Sequence, residues 1–339
     1  MELLRSDTID KFSSMTNAEV YLEAFHRRMM GPLPGSKVRG HYLGNTHRTD
    51  VLPYLVNVLS EFQSKEDIRI LDVGAGSGEY LLDVLDDIDT TLSVVEPNPL
   101  MVDSYMRILS KFNNVRSGPI YKGKVQDLYS SSFGPDWLDK LKPQHIILAL
   151  HLVYHLTDFG IDKEHTPEKD IIDFVVSMYD KLDDNGVLFI VYSDQEKSII
   201  GQSAAYYYNK MSRTIPKKMR DTWNARKELL EHSEIARILN NKFPMYSTRT
   251  TVSRTASKIF GRKIDDLAVM CTMAEISEPD CRPFDISKLF SAMEFIETHG
   301  RHFGLTKVKG TLRSGMWSAN IPQVVCELRK IPRTYPASK

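Results

Sequence analysis

Three cysteines in 339 residues are too few and too scattered for a disulfide framework. Cys271, Cys281 and Cys326 are odd in number and lack the close pairing of a zinc or redox motif, so reduced thiols are expected. No apolar run approaches the ~18 residues of a membrane span. The opening MELLRSDTIDKF carries acids where a secretory leader needs an apolar stretch, and the expectation is a cytoplasmic chain with no membrane partner. Neither sign of charge is in excess: Lys+Arg and Asp+Glu are 44 each, for a formal charge of zero. That balance weighs against gripping phosphate backbones, which takes clustered Lys and Arg, so no nucleic-acid partner is expected. Internal repeats and low-complexity tracts are also missing. What is present, 42% hydrophobic and 26% charged residues, suffices for a sizeable core. The length suits one α/β core carrying a large insertion or appended lobe, as a monomer or weak oligomer.

Hydrophobic periodicity predicts a helix from Val20 to Met30, stopped by Gly31-Pro32-Leu33-Pro34-Gly35, and a second from Val51 to Phe62. Short apolar runs then alternate with helical patterns, the signature of a doubly wound α/β sheet. Strands are expected at Ile68–Val73, Leu92–Glu96, Gly118–Lys122, His145–Leu150 and Val187–Tyr192, with helices to about Asp86 and from Pro99 to Phe112. Thr166-Pro167-Glu168 reads as a helix start, with Thr as cap and Pro in the first turn. Residues 1–50 form an N-terminal helix and basic segment, and 51–195 the Rossmann-like core. Residues 196–310 read as an appended helical or mixed substrate lobe, and in 311–339 the run Gln323–Leu328 is a final strand returning to the sheet.

The chemistry-bearing motif is Asp72-Val73-Gly74-Ala75-Gly76-Ser77-Gly78, directly after a strand and before a helix. Glycines belong there because a tight turn demands unusual φ values and a ligand must approach the backbone. A dinucleotide fingerprint wants its third glycine at position 79, which is Glu79. Pyrophosphate at that helix start would meet the carboxylates of Asp72 and Glu79, whereas a cationic sulfonium has no such conflict. The next strand ends in Glu96, about twenty residues on, where an acceptor for ribose hydroxyls sits in doubly wound nucleotide folds. Gln126-Asp127 follows the third strand, placed to read an adenine edge.

In these features the sequence resembles the class I S-adenosylmethionine-dependent methyltransferases over about residues 50 to 195. The resemblance implies S-adenosylmethionine as cofactor, with Asp72, Gly74, Gly76 and Gly78 along its methionine portion. It gives Glu96, beside Pro97, the ribose, and Gln126 or Asp127 the adenine amine, with Leu150 nearby. Within that family the chain looks most like the histamine N-methyltransferase group. Tyr21-Leu-Glu-Ala-Phe25, Val94-Val95-Glu96-Pro97, Leu150-His151-Leu152-Val153-Tyr154-His155, the stretch Ile235–Thr272 and Asn320-Ile-Pro-Gln-Val-Val-Cys326 have counterparts there. Carried over, Asn320 falls on a substrate-binding asparagine and His151 on a substrate-facing glutamine, with Tyr21 and Tyr154 as further substrate contacts. The group's substrate-binding glutamate has no counterpart, because no acid occurs from His26 to Thr49. Arg27, Arg28, Lys37, Arg39, His41, His47 and Arg48 stand there instead. If that segment lids the pocket, Arg39 and Arg48 favour a carboxylate over a free cationic amine; the alternative is a solvated basic loop.

Methyl transfer needs the nucleophile held about 3 Å from the methyl and water excluded. A nitrogen or oxygen nucleophile must also shed a proton, and His151 and His155, just past the fourth strand, are the candidates to orient or deprotonate it. The His151-Leu-Val-Tyr-His155 spacing mimics a metal pair on one helix face. It lacks the glutamate after the first histidine and falls in a loop, so no metal is expected. The function expected is methylation of a small polar metabolite, an amine or imidazole nitrogen by resemblance. The alternative is S- or O-methylation of a small acid, for instance a sulfur-containing hydroxy or amino acid. A nucleic-acid methyltransferase would want Asn/Asp-Pro-Pro-aromatic where His151-Leu-Val-Tyr154 stands. A non-catalytic binding protein would have no need of the intact glycine turn and Glu96.

Overall fold

The computed structural model describes residues 6–29, 31, 44–78, 81, 84–85, 87–129, 136–156, 166–211, 215–276 and 281–334. Lys37, Arg39, His41 and Glu79 lie outside them, as does most of the helix expected to run to Asp86.

The strands are β1 Ile68–Val73, β2 Thr90–Val95, β3 Val115–Tyr121, β4 Gln144–Leu150, β5 Leu182–Ser193, β6 Tyr246–Gly261, β7 Thr306–Lys307 and β8 Trp317–Pro332. They form one sheet in the order β3-β2-β1-β4-β5-β8-β6, with β7 paired to β8. β3, β2, β1, β4 and β5 are mutually parallel, while β8 runs antiparallel to both β5 and β6. This is the doubly wound α/β sheet expected from the sequence. Its inner strands are almost wholly buried because helices cover both faces. Alternate residues serve opposite sides: Leu71, Val73, Ile147 and Ala149 pack with Phe174 and Tyr179, while Ile70 and Leu148 pack with Leu55, Leu59 and Tyr105. Strand order reverses between β1 and β4, and the crevice outside their carboxyl ends is where such folds bind ligands.

The helix Pro167–Asp180 starts as read: the Thr166 side chain accepts from the Lys169 N–H, and Pro167 stands at the first turn. Thr166→Ala should therefore cost about 1 kcal/mol, read as a lower midpoint in thermal unfolding; an unchanged midpoint would show that the cap contributes nothing.

Other expectations are corrected. The single helix from Val20 to Met30 is an α-helix, Asn17–Leu22, running into a π-helical stretch, Glu23–Met29. The next helix spans His47–Ser60, starting a turn earlier than its apolar pattern. Residues 196–310, read as a helical or mixed segment, hold the helices Ile199–Met211, Ile215–Arg226, Glu234–Lys242, Ile264–Cys271 and Ser287–His299 together with β6 and β7. β6 joins the sheet by pairing all sixteen of its residues with β8, so this segment is not purely an appendage. Its Thr-, Ser- and Arg-rich sequence suits a sheet edge with a wet face, which hides it from a search for apolar runs. β8 likewise outruns Gln323–Leu328 at both ends. Among the described residues no helix is long and apolar enough to cross a membrane.

Candidate active site

A cavity of about 780 Å³ opens at the carboxyl ends of β1 and β4. That lies within the range of roughly 300–1,000 Å³ of small-molecule sites. One wall is the turn after β1. Gly74, Gly76 and Gly78 have φ of +70°, +56° and +73°, the left-handed region that side chains other than glycine rarely occupy. A Cβ on Gly74 would stand 2.9 Å from Leu152, and one on Gly78 would stand 2.5 Å from the Tyr105 ring. At Gly76 it would meet only Phe25, at 3.7 Å. Gly74 and Gly76 line the cavity; Gly78 is held off it against Tyr105 and shapes the turn.

Two carboxylates from neighbouring strands face this wall. Asp72 and Glu96 are 2% and 6% exposed, and among the described residues neither forms an ion pair with a cationic side chain. Asp72 accepts from the Tyr105 hydroxyl at 3.3 Å. Glu96 accepts the Gly76 N–H and the Asn98 N–H, each at 2.8 Å, and so ties β2 to the glycine turn. Burial, opposed by the Tyr105 hydrogen bond and aided by the Glu96 charge, pushes Asp72 up to about 7. Burial also raises Glu96, against its two backbone hydrogen bonds. Ser77 Oγ and Asn98 Nδ2 are buried beside the turn without partners. Two buried carboxylates without a bonded cation, orphaned polar atoms and an open Gly76 suit a cationic, hydroxyl-bearing ligand; a pyrophosphate would be repelled.

The opposite lip is the loop after β4. His151 has φ +59°, a conformation histidine tolerates better than most residues and one that recurs at functional sites. It is fixed by its own N–H donating to the Val191 carbonyl at 2.7 Å. Its Nδ1 lies 2.6 Å from the Tyr154 hydroxyl, which also accepts the Ser193 N–H at 2.6 Å. Its Nε2 lies 2.7 Å from Nε2 of His47. Burial, with His155 nearby, lowers His151 to about 4, and burial with His151 beside it takes His47 well below the usual histidine value. Both imidazoles are thus neutral near pH 7 and share one proton between facing nitrogens, one ring donating and the other accepting. His155, four residues further on, also lines the cavity.

Of the other expected cofactor residues, Pro97, Gln126 and Leu150 line the cavity. The Gln126 amide nitrogen is committed to the His155 and Leu156 carbonyls at 2.6 and 3.2 Å, which leaves its oxygen as the only end available to an adenine amine. Asp127 is a correction: it caps its own turn by accepting the Lys124 N–H at 3.2 Å and does not line the cavity.

Of the expected substrate residues, Tyr21 and Tyr154 line the cavity. Asn320 does not. It is exposed on β8 and packs against Gly304, where an added Cβ would meet its amide. Arg48 stands half-buried on its helix away from the cavity, and Arg39 lies outside the described residues. Arg27 and Arg28 do not point a positive field at the pocket either: both pair with Glu23, and Arg28 also with Asp266. Of this segment's described basic residues, only His47 lines the cavity.

Among the cavity residues that sequence reasoning missed are His47 as the partner of His151, Arg226 at the end of its helix, Ser257 on β6 and Gln323 on β8. None had a local signal, since each reaches the cavity through long-range packing.

No family model and no curated protein matches the chain. Among solved structures it is similar to the plantazolicin methyltransferase BamL in complex with triazolic desmethylPZN analog and SAH, at 15% identity over 95% of this chain and 94% of that one, with a TM-score of 0.43. It is also similar to the YcgJ protein of Bacillus subtilis, at 10% identity, 83% and 100% coverage and TM-score 0.44. A third is a precorrin-6y C5,15-methyltransferase of Geobacter metallireducens GS-15, at 12% identity, 80% and 85% coverage and TM-score 0.35. At TM-scores below 0.5 these likenesses carry no functional weight, and the chemistry is read from the site's own residues.

Proposed function

We propose that this chain is an S-adenosylmethionine-dependent methyltransferase acting on a small polar metabolite. The observation that carries the reading is the pair of buried carboxylates, Asp72 and Glu96, flanking a glycine turn at the switch point of the sheet without a cationic side chain bonded to either. Such a wall suits a ligand with an ammonium and a sulfonium at one end and a ribose diol at the other.

S-adenosylmethionine supplies a methyl group already activated by the positive sulfur. Asp72 and the turn at Gly74 and Gly76 would hold its amino-acid end, and Glu96 its ribose hydroxyls. The Gln126 oxygen and the apolar Leu150 would receive the adenine. Methyl transfer then asks for position and dryness. Leu152 and Val153 bring apolar bulk to the loop that carries His151. His151 is neutral, but its Nδ1 is held by Tyr154 and its Nε2 by His47, so it would take the proton of an N–H or O–H nucleophile only where that nucleophile replaces His47 at Nε2. The resemblance to the histamine N-methyltransferase group points to nitrogen of an amine or imidazole; a small acid methylated on sulfur or oxygen is the second reading, favoured by a feature of the cavity wall described below.

The sign of a proton exchange tests this. With Asp72 near 7, a cation bound beside it stabilises the ionised form, so binding S-adenosylmethionine should release protons and tighten as pH rises from about 6 to about 8. Calorimetry at pH 7 in buffers of different ionisation enthalpy reads this directly. An anionic dinucleotide would instead draw protons in, and proton uptake with S-adenosylmethionine, or no binding at all, would refute the assignment.

A further inference from the structure

Resting on that reading, we infer that the acceptor substrate carries a carboxylate, held by Arg226 in the cavity wall beside Tyr154. Arg226 closes the helix Ile215–Arg226 and is 2% exposed, yet its side chain belongs to the cavity wall. Its guanidinium is braced on one side only. Nη2 donates to Gln195 Oε1 at 2.5 Å and Nε to the Thr222 carbonyl at 3.4 Å, and the group lies over the rings of Tyr154 and Tyr192 at 5.4 and 5.8 Å. Nη1 is buried and has no hydrogen-bond partner. A buried cationic donor without an acceptor is costly unless a ligand completes it.

The surrounding carboxylates stabilise its charge without bonding it. Asp194 and Glu231 lie within electrostatic range of Arg226. Asp194 pairs with Lys197 at 3.0 Å, and Glu231 pairs with Arg254 and accepts the Tyr192 hydroxyl. Glu196 pairs with Lys227. Among the described residues each of these carboxylates pairs with another cation and none bonds Arg226 directly. A carboxylate oxygen can accept an N–H of that open nitrogen in a charge-assisted hydrogen bond.

Two more orphans share this wall. Gln323 Oε1 on β8 and Ser257 Oγ on β6 are buried and unpartnered, and both residues line the cavity. Gln323 lies across from Ser193 on β5, whose N–H holds the Tyr154 hydroxyl that in turn meets His151. The subsite therefore adjoins His151. The Gln323 oxygen accepts from an O–H or N–H of the same molecule, which describes a small hydroxy or amino acid better than a free amine. The basic segment before residue 49 is not needed for this preference.

The test compares acids with their neutral isosteres. Lactate, malate, alanine, phenylalanine and 3-phenylpropionate, each beside its primary amide, are titrated into the full chain by calorimetry, with and without saturating S-adenosylhomocysteine. At least one acid should bind about 10- to 100-fold more tightly than its amide, the worth of a charge-assisted pair. Arg226→Gln should abolish that preference while leaving S-adenosylhomocysteine affinity unchanged, and Arg226→Lys should keep part of it. No acid preferred over its amide in the wild-type protein, or a preference that survives in Arg226→Gln, overturns the assignment. Failure of S-adenosylhomocysteine to bind the wild-type chain counts against the methyltransferase reading alone, because the acid-to-amide comparison is also made without it.

Discussion

Gly78→Ala should destabilise the fold by about 2–5 kcal/mol, measured by urea denaturation. Two terms add. A residue with a Cβ at φ +73° meets a left-handed penalty of about 1–2 kcal/mol. The new methyl would also lie 2.5 Å from Tyr105, an overpacking cost of about 1–3 kcal/mol. Tyr105 has little room to retreat, being 1% exposed with its hydroxyl on Asp72. Gly76→Ala is the control: φ is again positive, but the methyl points into open space near Phe25. It should cost only the backbone penalty and act mainly on ligand binding. Equal losses at the two positions would mean that the Tyr105 contact is not what fixes Gly78.

Glu96→Ala should weaken S-adenosylhomocysteine binding about 10- to 100-fold, the loss of a charged acceptor for ribose hydroxyls. It also releases the Gly76 and Asn98 N–H groups. Asn98 is 1% exposed, so its N–H is stranded at a cost of about 1–3 kcal/mol. Removing a buried carboxylate that burial already disfavours offsets part of that cost. The fold should consequently suffer less than in Gly78→Ala while affinity suffers more. An affinity unchanged in calorimetry would take Glu96 out of the cofactor site.

How much of this was legible from the amino acids follows from where each signal lives. β1, β2, β4 and β5 are buried on both faces and so read as short continuous apolar runs; Thr166 and Pro167 announce their helix by local chemistry alone. The glycine turn and Glu96 are legible because their function fixes residue type at a fixed distance from a strand end. β6 is not, because an edge strand with Thr, Ser and Arg facing water has no apolar run to find. The His47–His151 contact joins residues 104 apart in sequence, and no local pattern encodes it. Arg226 sits in a helix rich in basic residues whose other described charged side chains are solvated, so its burial shows only when Tyr154 and Tyr192 close over it. Asn320 was carried over by family resemblance, and the pleat refuses it. It and Gln323 stand three positions apart and so project to opposite sides of β8, and it is Gln323 that lines the cavity.

The same parity reaches further. Ser257 stands directly opposite Ile321, two residues from Gln323, and all three share one side of the ribbon formed by β6 and β8. Slipping that ribbon by a single residue would replace Ser257 with Ala256 or Lys258 and turn Gln323 outward together with it. The side chains that this ribbon lends to the cavity wall are therefore inscribed in an odd–even count along two sixteen-residue strands. Such a surface can be retuned by exchanging side chains in place, but not by the insertions and deletions through which loop-built pockets diversify.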